Sequence, residues 1–593
     1  MIILNGEIYN CEDLRGELAD EGHRNDWRGH SDTEVLAAGF DAWGVSKTLR
    51  RASGMFALAV WDRKERVLAL ARDRLGEKPL YYGRQHGPGS PFLFASELKA
   101  LQQHPDFEPE IDRRALGLFT RYLDVPAPLS IYRGISKLAP GTILRVGTNA
   151  SEPVIEEYWS GAQVAREGVA GPTDLDSDAA TDALERILER AVGRQMIADV
   201  PLGAFLSGGI DSSTVVAVMQ KLSPRPVKTF TIGFHEEAYN EARHAKAVAR
   251  HLGTDHTELY LTPREAMDVI PQLPAMYDEP FADSSQIPTH LISALARKHV
   301  SVALSGDGGD ELFGGYDRYL FAGGWWDRIA SIPMPLRAAA ARALIMVPAA
   351  LWTGLGDAAG GLLPRDMRLK RLGDKVHKGA TMLCSDSSDE LYDAMLSLWR
   401  DPGELVIGAP CAAGPMLDTR AELQSLNDVE RMMAKDMLGY LPDDILVKVD
   451  RAAMAVSLET RVPLLDPEVV EFAWRLPLDF KIRKGTTKWL LRQLLYRHVP
   501  PALIDRPKMG FGVPLDSWIR GPLRDWAEAL LDERRLREEG FFRPQPIRNA
   551  WDEHLRGHNN QYKLWIILMF QSWLEAQKGA AVQDPPKTKA LAG

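Results

Sequence analysis

The chain has 593 residues, 45% hydrophobic and 26% charged, which is globular in texture and too long for a single core. A net charge of −10 at pH 7 excludes a broad basic footprint for nucleic acid and disfavours docking on anionic lipid. The three cysteines, Cys11, Cys384 and Cys411, form no CxxC pair, which argues against a zinc ribbon or disulfide framework and suits a reducing cytoplasm.

Residues 1–150 read as β-rich, with short apolar segments at 55–61, 67–71 and 92–95 separated by turn signals. The opening MIILNGEIYN is too short an apolar run for a signal peptide. The stretch 161–178 is rich in Gly, Ala and Asp and reads as a linker, so residues 151–180 are set apart from both neighbours. Strands and helices then alternate: strand 200–206, helix 212–221, strand 227–234, helix 240–251, strand 256–261, helix 289–299, strand 301–304. That rhythm predicts a parallel sheet with crossover helices over the start of a domain spanning 181–578. Beyond Asp317 the chain reads as helical and Arg-rich, and 579–593 as a disordered tail. The most apolar stretch, 338–363, is broken by Arg342, Pro348 and Asp357, and a spanning helix needs about 20 nearly uncharged residues. It is expected to form buried or interdomain helices.

Two loops carry the chemistry. Ser207-Gly208-Gly209-Ile210-Asp211-Ser212-Ser213 follows an apolar strand and opens a helix. Its glycines permit a tight turn that brings backbone N–H groups to an anion, and the helix N-terminus favours phosphate. Ser212 and Ser213 add hydroxyls, while Asp211 beside phosphate calls for a cation such as Mg²⁺. There is no GxxxxGK[ST] lysine, which points to pyrophosphate release rather than γ-phosphoryl transfer. Ser305-Gly306-Asp307-Gly308-Gly309-Asp310-Glu311 follows a second strand and runs on through Phe313 to Tyr316. Ligands of parallel sheets bind beyond the C-terminal strand ends, so both loops are expected to face one crevice. Asp310 there offers a second carboxylate for the cation.

SGGIDSS resembles the pyrophosphate loop of the ATP pyrophosphatases, and SGDGGDELFGGY resembles the matching loop of asparagine synthetases and β-lactam synthetases. The 278–283 segment DEPFAD, Asp450-Arg451 and the 458–466 segment LETRVPLLD extend the likeness. The resemblance implies ATP and Mg²⁺ as cofactors, with Leu206, Ser207, Gly208, Gly209, Ser212 and Ser213 around the phosphates. It implies Ser305 and Gly306 at the adenylate, Phe205 and Ile232 as backbone contacts to AMP, and Asp211 with Asp310 on the metal. Asp307 is implied in acyl-adenylate formation, Glu311 and Tyr316 near the acceptor, and Lys508 as the catalytic lysine. Lys448 and Lys488 are weaker candidates for that role and read rather as helix-surface charges.

In the first domain, Asn5-Gly6-Glu7, Ser31-Asp32-Thr33-Glu34, and the segments 54–57 and 71–81 resemble the glutamine-binding parts of class II amidotransferases. Asn5 and Gly6 are implied as an oxyanion hole, Glu7 beside them, and Asp32 as the partner of the glutamine α-amino group. The family nucleophile is an N-terminal cysteine, whereas this sequence starts Met1-Ile2-Ile3, and Cys11 does not match that position. Either the start lies upstream or the product is truncated. Truncation would leave an open sheet edge, and the chain as given is expected to use free ammonia without hydrolysing glutamine.

The implied fold is an incomplete α+β Ntn-hydrolase-type sandwich, then an α/β parallel-sheet ATP pyrophosphatase domain with a helical C-terminal part. The implied reaction converts L-aspartate to L-asparagine through β-aspartyl-AMP, with small-molecule partners, a cytoplasmic setting and a homodimer as an open assembly state. Amidation of another carboxylate, such as a sugar acid, and a non-catalytic nucleotide-binding regulator are the alternatives.

Overall fold

The computed structural model describes residues 1–23, 26–87, 89–148, 152–234, 241–348, 351–352, 354–355, 372–410, 421–506 and 512–582. Eight strands lie among the described residues before 160: β1 (Ile2–Ile8), β2 (Gly54–Asp62), β3 (Val67–Arg72), β4 (Tyr81–Gly83), β5 (Leu93–Ala95), β6 (Ile135–Lys137), β7 (Thr142–Gly147) and β8 (Val154–Glu157). Five make an antiparallel sheet in the order β1-β2-β3-β7-β8, and three make a second one, β5-β4-β6. Side chains alternate along each strand. Phe56, Leu58, Ala69, Ala71 and Ile143 therefore face the helices Cys11–Asp20 and Asp32–Trp43 through Leu14, Leu18, Val35 and Leu36. Their neighbours Ala57, Ala59, Leu70, Leu144 and Val146 face the other way, onto a cluster that Tyr82 and Phe94 of the second sheet complete. β1 and β8 are the sheet's edge strands.

The stretch expected as a linker is packed structure. It contains β8 and the helix Gly161–Ala170, whose N-terminus is capped by Ser160 Oγ accepting from Gln163 N–H. Its small residues serve contact rather than looseness: Ala162 and Ala165 are fully buried, and a Cβ on Gly168 would lie 2.8 Å from the Trp474 backbone.

The second domain carries β9 (Leu202–Phe205), β10 (Lys228–Phe234), β11 (Asp255–Leu261), β12 (Val302–Leu304) and β13 (Glu459–Arg461). They form a parallel sheet in the order β11-β10-β9-β12-β13. Helices Ile210–Leu222 and Ala242–Leu252 make the first two crossovers, and Gln286–Arg297 leads into β12. The chain winds outward from β9 to β11 and then returns to β12 on the opposite side, so the order reverses between β9 and β12. That switch point is where an open parallel sheet leaves a crevice.

The remainder is mainly helical, as expected. The apolar stretch at 338–363 is largely exposed where it is described: Ala341 is buried, but Ile345, Met346, Leu351 and Leu355 are exposed, and 349–350, 353 and 356–363 lie outside the described residues. Among the described residues no helix is long and apolar enough to cross a membrane. The helix Gln561–Val582 runs past the expected start of the tail at 579, and 583–593 lies outside the described residues. The two domains meet through charge pairs, with Lys78 Nζ 2.7 Å from Asp450, Lys137 Nζ 2.6 Å from Glu279, and Arg451 3.0 Å from Glu97, while Arg451 also pairs within its own domain with Asp278 at 3.3 Å. Buried ions persist only when paired in this way.

Candidate active site

The loops after β9 and β12 interlock. Leu206 N–H donates to Phe230 O at 2.9 Å, which fixes the first turn, and its side chain is buried in the core rather than in the crevice. Gly208 has φ +72°, and a Cβ there would lie 2.7 Å from Ala245 N, so it shapes the turn from outside the crevice. Ser207 N–H donates to Ser212 Oγ at 3.2 Å, and the two hydroxyls are 2.9 Å apart. Ser213, expected beside them, is fully buried with its Oγ unpartnered on the core side of the helix. A Cβ on Gly306 would lie 2.6 Å from Ser212 N, and one on Gly309 would lie 2.3 Å from Asp211 Oδ1. Glycine at both places lets Asp211 stand against the second loop.

A cleft of ≈ 510 Å³ opens over this junction. Phe205, Ser207, Gly209, Asp211, Ser212, Ile232, Ser305 and Gly306 all line it, together with Asp307, Asp310, Glu311 and Tyr316. Lys508 lies outside the described residues.

Its charge centre is a lysine that the sequence offers only as a weaker candidate. Lys488 is no surface residue: it is 4% exposed, and its ammonium bonds Asp211 Oδ2 and sits 2.7 Å from Asp310 Oδ1. Burial works against that charge, but the two carboxylates outweigh it and hold the ammonium above its ordinary range. Lys488 has φ +52° just before the helix Trp489–Tyr496. Gly315 leaves room for it, because a Cβ there would lie 2.1 Å from Lys488 Cε.

Lys448 is likewise buried, on the helix Leu446–Met454, with Nζ 2.7 Å from Asp283 Oδ2. Against burial, Lys448 holds the Asp283 carboxyl down at about 2. Asp307 feels both lysines, yet burial keeps its carboxyl above the ordinary range, and Ser305 Oγ donates to it at 2.6 Å. Burial, with Asp310 close by, pushes Glu311 up to about 7, and Tyr316 Oη donates to Glu311 Oε1 at 2.6 Å. The Arg318 guanidinium stands 3.8 Å over the Tyr316 ring, and Arg506 ties down the first loop by donating to Gly208 O at 3.1 Å.

No cluster of three or more His, Cys, Asp or Glu is arranged for a metal among the described residues. Asp211 and Asp310 converge on one cation position, held by the Lys488 ammonium, and two carboxylates so placed would suit a divalent cation such as Mg²⁺ beside phosphate.

In the first domain, Asn5 Nδ2 donates to Ser96 Oγ at 3.0 Å, and Gly6 (φ +142°) has no space for a Cβ, with Met55 O only 2.0 Å away. Burial raises Glu7 to about 7. Asp32 accepts from Ile8 N–H at 3.2 Å and Thr33 N–H at 2.6 Å, which places it beside β1 at the start of its helix. The Cys11 thiol donates to Ile8 O at 2.9 Å, and burial, aided by Asp32 and Glu7, pushes it up to about 12. A nucleophilic thiol needs the opposite shift. Replacing Cys11 by Ala is expected to leave any glutamine-dependent turnover unchanged, measured as glutamate release.

Fold and cleft together define a two-domain protein in which a parallel-sheet domain with a charged cleft at its switch point is joined to an antiparallel-sheet domain. Residues 183–575 match the family model described as asparagine synthase, and residues 1–159 match the one described as glutamine amidotransferase domain. The chain belongs to the asparagine synthase family, as an enzyme of the glutamine-hydrolysing asparagine synthetase type. A Mycobacterium tuberculosis (H37Rv) relative, provisionally described as asparagine synthetase (glutamine-hydrolyzing), is 36% identical over 586 residues, covering 97% of this chain and 84% of its own. Asparagine synthetase (glutamine-hydrolyzing) 1 of Bacillus subtilis is 31% identical over 580 residues, covering 96% and 85%. The Gibberella zeae protein named amidase chry2 is 26% identical over 583 residues, covering 93% and 82%.

Proposed function

We propose that the chain adenylates the side-chain carboxylate of L-aspartate with ATP and lets ammonia displace AMP, giving L-asparagine, AMP and pyrophosphate. The observation that carries this reading is the convergence of Asp211, Asp310 and Lys488 where the β9 and β12 loops interlock. Phosphate belongs there, against the N-terminus of the helix Ile210–Leu222 and the Ser207 and Ser212 hydroxyls. Mg²⁺ on Asp211 and Asp310 would offset the charge that grows on pyrophosphate as it leaves. The strand-end residues Phe205 and Ile232 lie where AMP would follow, with Ser305 and Gly306 beside it. Lys508 joins this set by resemblance.

The substrate carboxylate attacks the α-phosphorus near Asp307. Ammonia then attacks the acyl carbon, and Glu311 takes the proton its nitrogen must lose, which a carboxyl poised near 7 does well. Tyr316 orients Glu311 through its hydroxyl. In the first domain Asn5, Gly6, Glu7 and Asp32 are the glutamine-facing set, and residues 1–150 and 181–578 act as the two functional units in the cytoplasm.

A relative similar over 583 residues carries a different printed name, amidase chry2, so the acceptor carboxylate is the point to test. Pyrophosphate release should require ATP, Mg²⁺ and L-aspartate, and asparagine should appear with ammonium as nitrogen donor. Release with a sugar acid but not with aspartate would replace the acceptor. ATP binding with no release for any acid would favour the regulator reading.

A further inference from the structure

A second, much smaller cavity of ≈ 10 Å³ lies between the domains, with room for about one water-sized molecule. Tyr9, Asp73, Arg74 and Glu77 line it from the first domain, and Gln195 and Asp466 from the second. Three buried oxygens of its lining have no hydrogen-bond partner: Tyr9 Oη, Glu77 Oε2 and Gln195 Oε1. Tyr9 is 7% exposed and Gln195 is 1% exposed, so solvent does not satisfy them. Leaving such groups unpaired carries the full desolvation penalty, and native structures avoid it.

The other polar groups are committed elsewhere. Asp73 accepts from the backbone of Gly76 at 2.7 Å, Glu77 at 2.9 Å and Lys78 at 3.0 Å. Asp466 accepts from Glu468 N–H at 3.0 Å and Ser53 Oγ at 3.1 Å. Arg74 turns its two Nη groups onto the carbonyls of Ala52, Leu49 and Arg50, leaving its Nε and the Tyr9 O–H as orphaned donors beside the orphaned oxygens of Glu77, Gln195 and Tyr9. Lys78 is spent on Asp450. The lining thus carries three carboxylates, Asp73, Glu77 and Asp466, against one guanidinium. Like charges in so dry a place repel unless one is neutralised.

We propose that this cavity binds one monovalent cation of potassium or ammonium size, held across the domain interface by the oxygens of Glu77, Gln195 and Tyr9. A carboxylate, an amide carbonyl and a phenol form a set of hard oxygen ligands suited to a weakly hydrated, singly charged ion. They do not make the several-carboxylate cage that a divalent ion wants. The site is distinct from the adenylation cleft and independent of the acceptor assigned there. Because the ligands come from both domains, the bound ion favours the docked arrangement, and its free energy adds to stability by mass action.

The test uses the full chain, melted at constant ionic strength in potassium, ammonium, sodium or N-methylglucamine chloride. Crystals are soaked in thallium(I), which replaces potassium and scatters anomalously. The expected result is a melting temperature that climbs and saturates with potassium or ammonium but not with N-methylglucamine. A thallium peak should lie within bonding distance of Glu77, Gln195 and Tyr9, and Glu77→Gln should abolish the cation-specific rise. A response to one ion alone assigns the site to that ion. No thallium peak in the parent crystal, or density refining as water with melting indifferent to cation identity, overturns the proposal whether or not the variant folds.

Discussion

Replacing Lys488 by Met should cut pyrophosphate release by roughly 10²–10³-fold, the scale of losing one charge-stabilising donor in a preorganised site. The ammonium is the link between two loops that the sequence places far apart, since Asp211 and Lys488 are 277 positions distant. Without it, Asp211 and Asp310 face each other with only 20% and 21% of their side chains exposed, and their repulsion should push the interlocked loops apart. Removing one partner of a buried pair costs about 3–5 kcal/mol, an upper value here because both carboxylates keep some solvent. The variant should therefore melt earlier as well. Two further variants separate fold from chemistry. Adding Asp211→Asn should restore much of the melting temperature but none of the pyrophosphate release, whereas Lys488→Arg should keep the charge and recover part of both. Parent-level release from Lys488→Met at a lowered melting temperature would make Lys488 a structural strut only.

How much of this was legible before the structure follows from what local sequence can encode. The loops at 207–213 and 305–316 announce themselves because glycines, serines and acids after an apolar strand have few other uses, and the structure brings both to one crevice. The β-rich character of the first domain was equally plain from short apolar segments between turn signals, and the segment 55–61 lies within β2. Lys488 and Lys448 stood only as weaker candidates, because what makes each special is a carboxylate contributed by a distant segment. On their own helices they look like any solvated lysine. The helix Gly161–Ala170 was mistaken for a linker because small residues signal both flexibility and close packing, and only the neighbouring Trp474 decides between them. The same limit applies to the interdomain cavity, whose three oxygens come from positions 9, 77 and 195.

Glu311 gives the sharpest pH test. Its ordinary value of 4.5 is pushed up to about 7 by burial and by the neighbouring Asp310. If it accepts the proton from the attacking nitrogen, amide formation should rise with pH through about 7 as the carboxylate forms. Glu311→Gln should lower the rate roughly 10²–10⁴-fold, the usual range for losing a general base, and remove that acidic limb. Stability must move the other way. A carboxyl whose folded value lies above its unfolded one binds its proton more tightly in the folded state, so the contribution is fully present below about 4.5 and lost as pH rises through about 7. Above that window the parent carries a buried charge that Gln lacks, and the Gln oxygen can still accept from Tyr316 Oη. Glu311→Gln should thus melt higher than the parent at pH 8 and show a flatter stability profile between about 4.5 and about 7. The same substitution slows the reaction and firms the fold, a combination expected where a carboxylate is kept buried for its chemistry. Loss of activity with an unchanged pH limb would instead assign the proton to another group in the cleft.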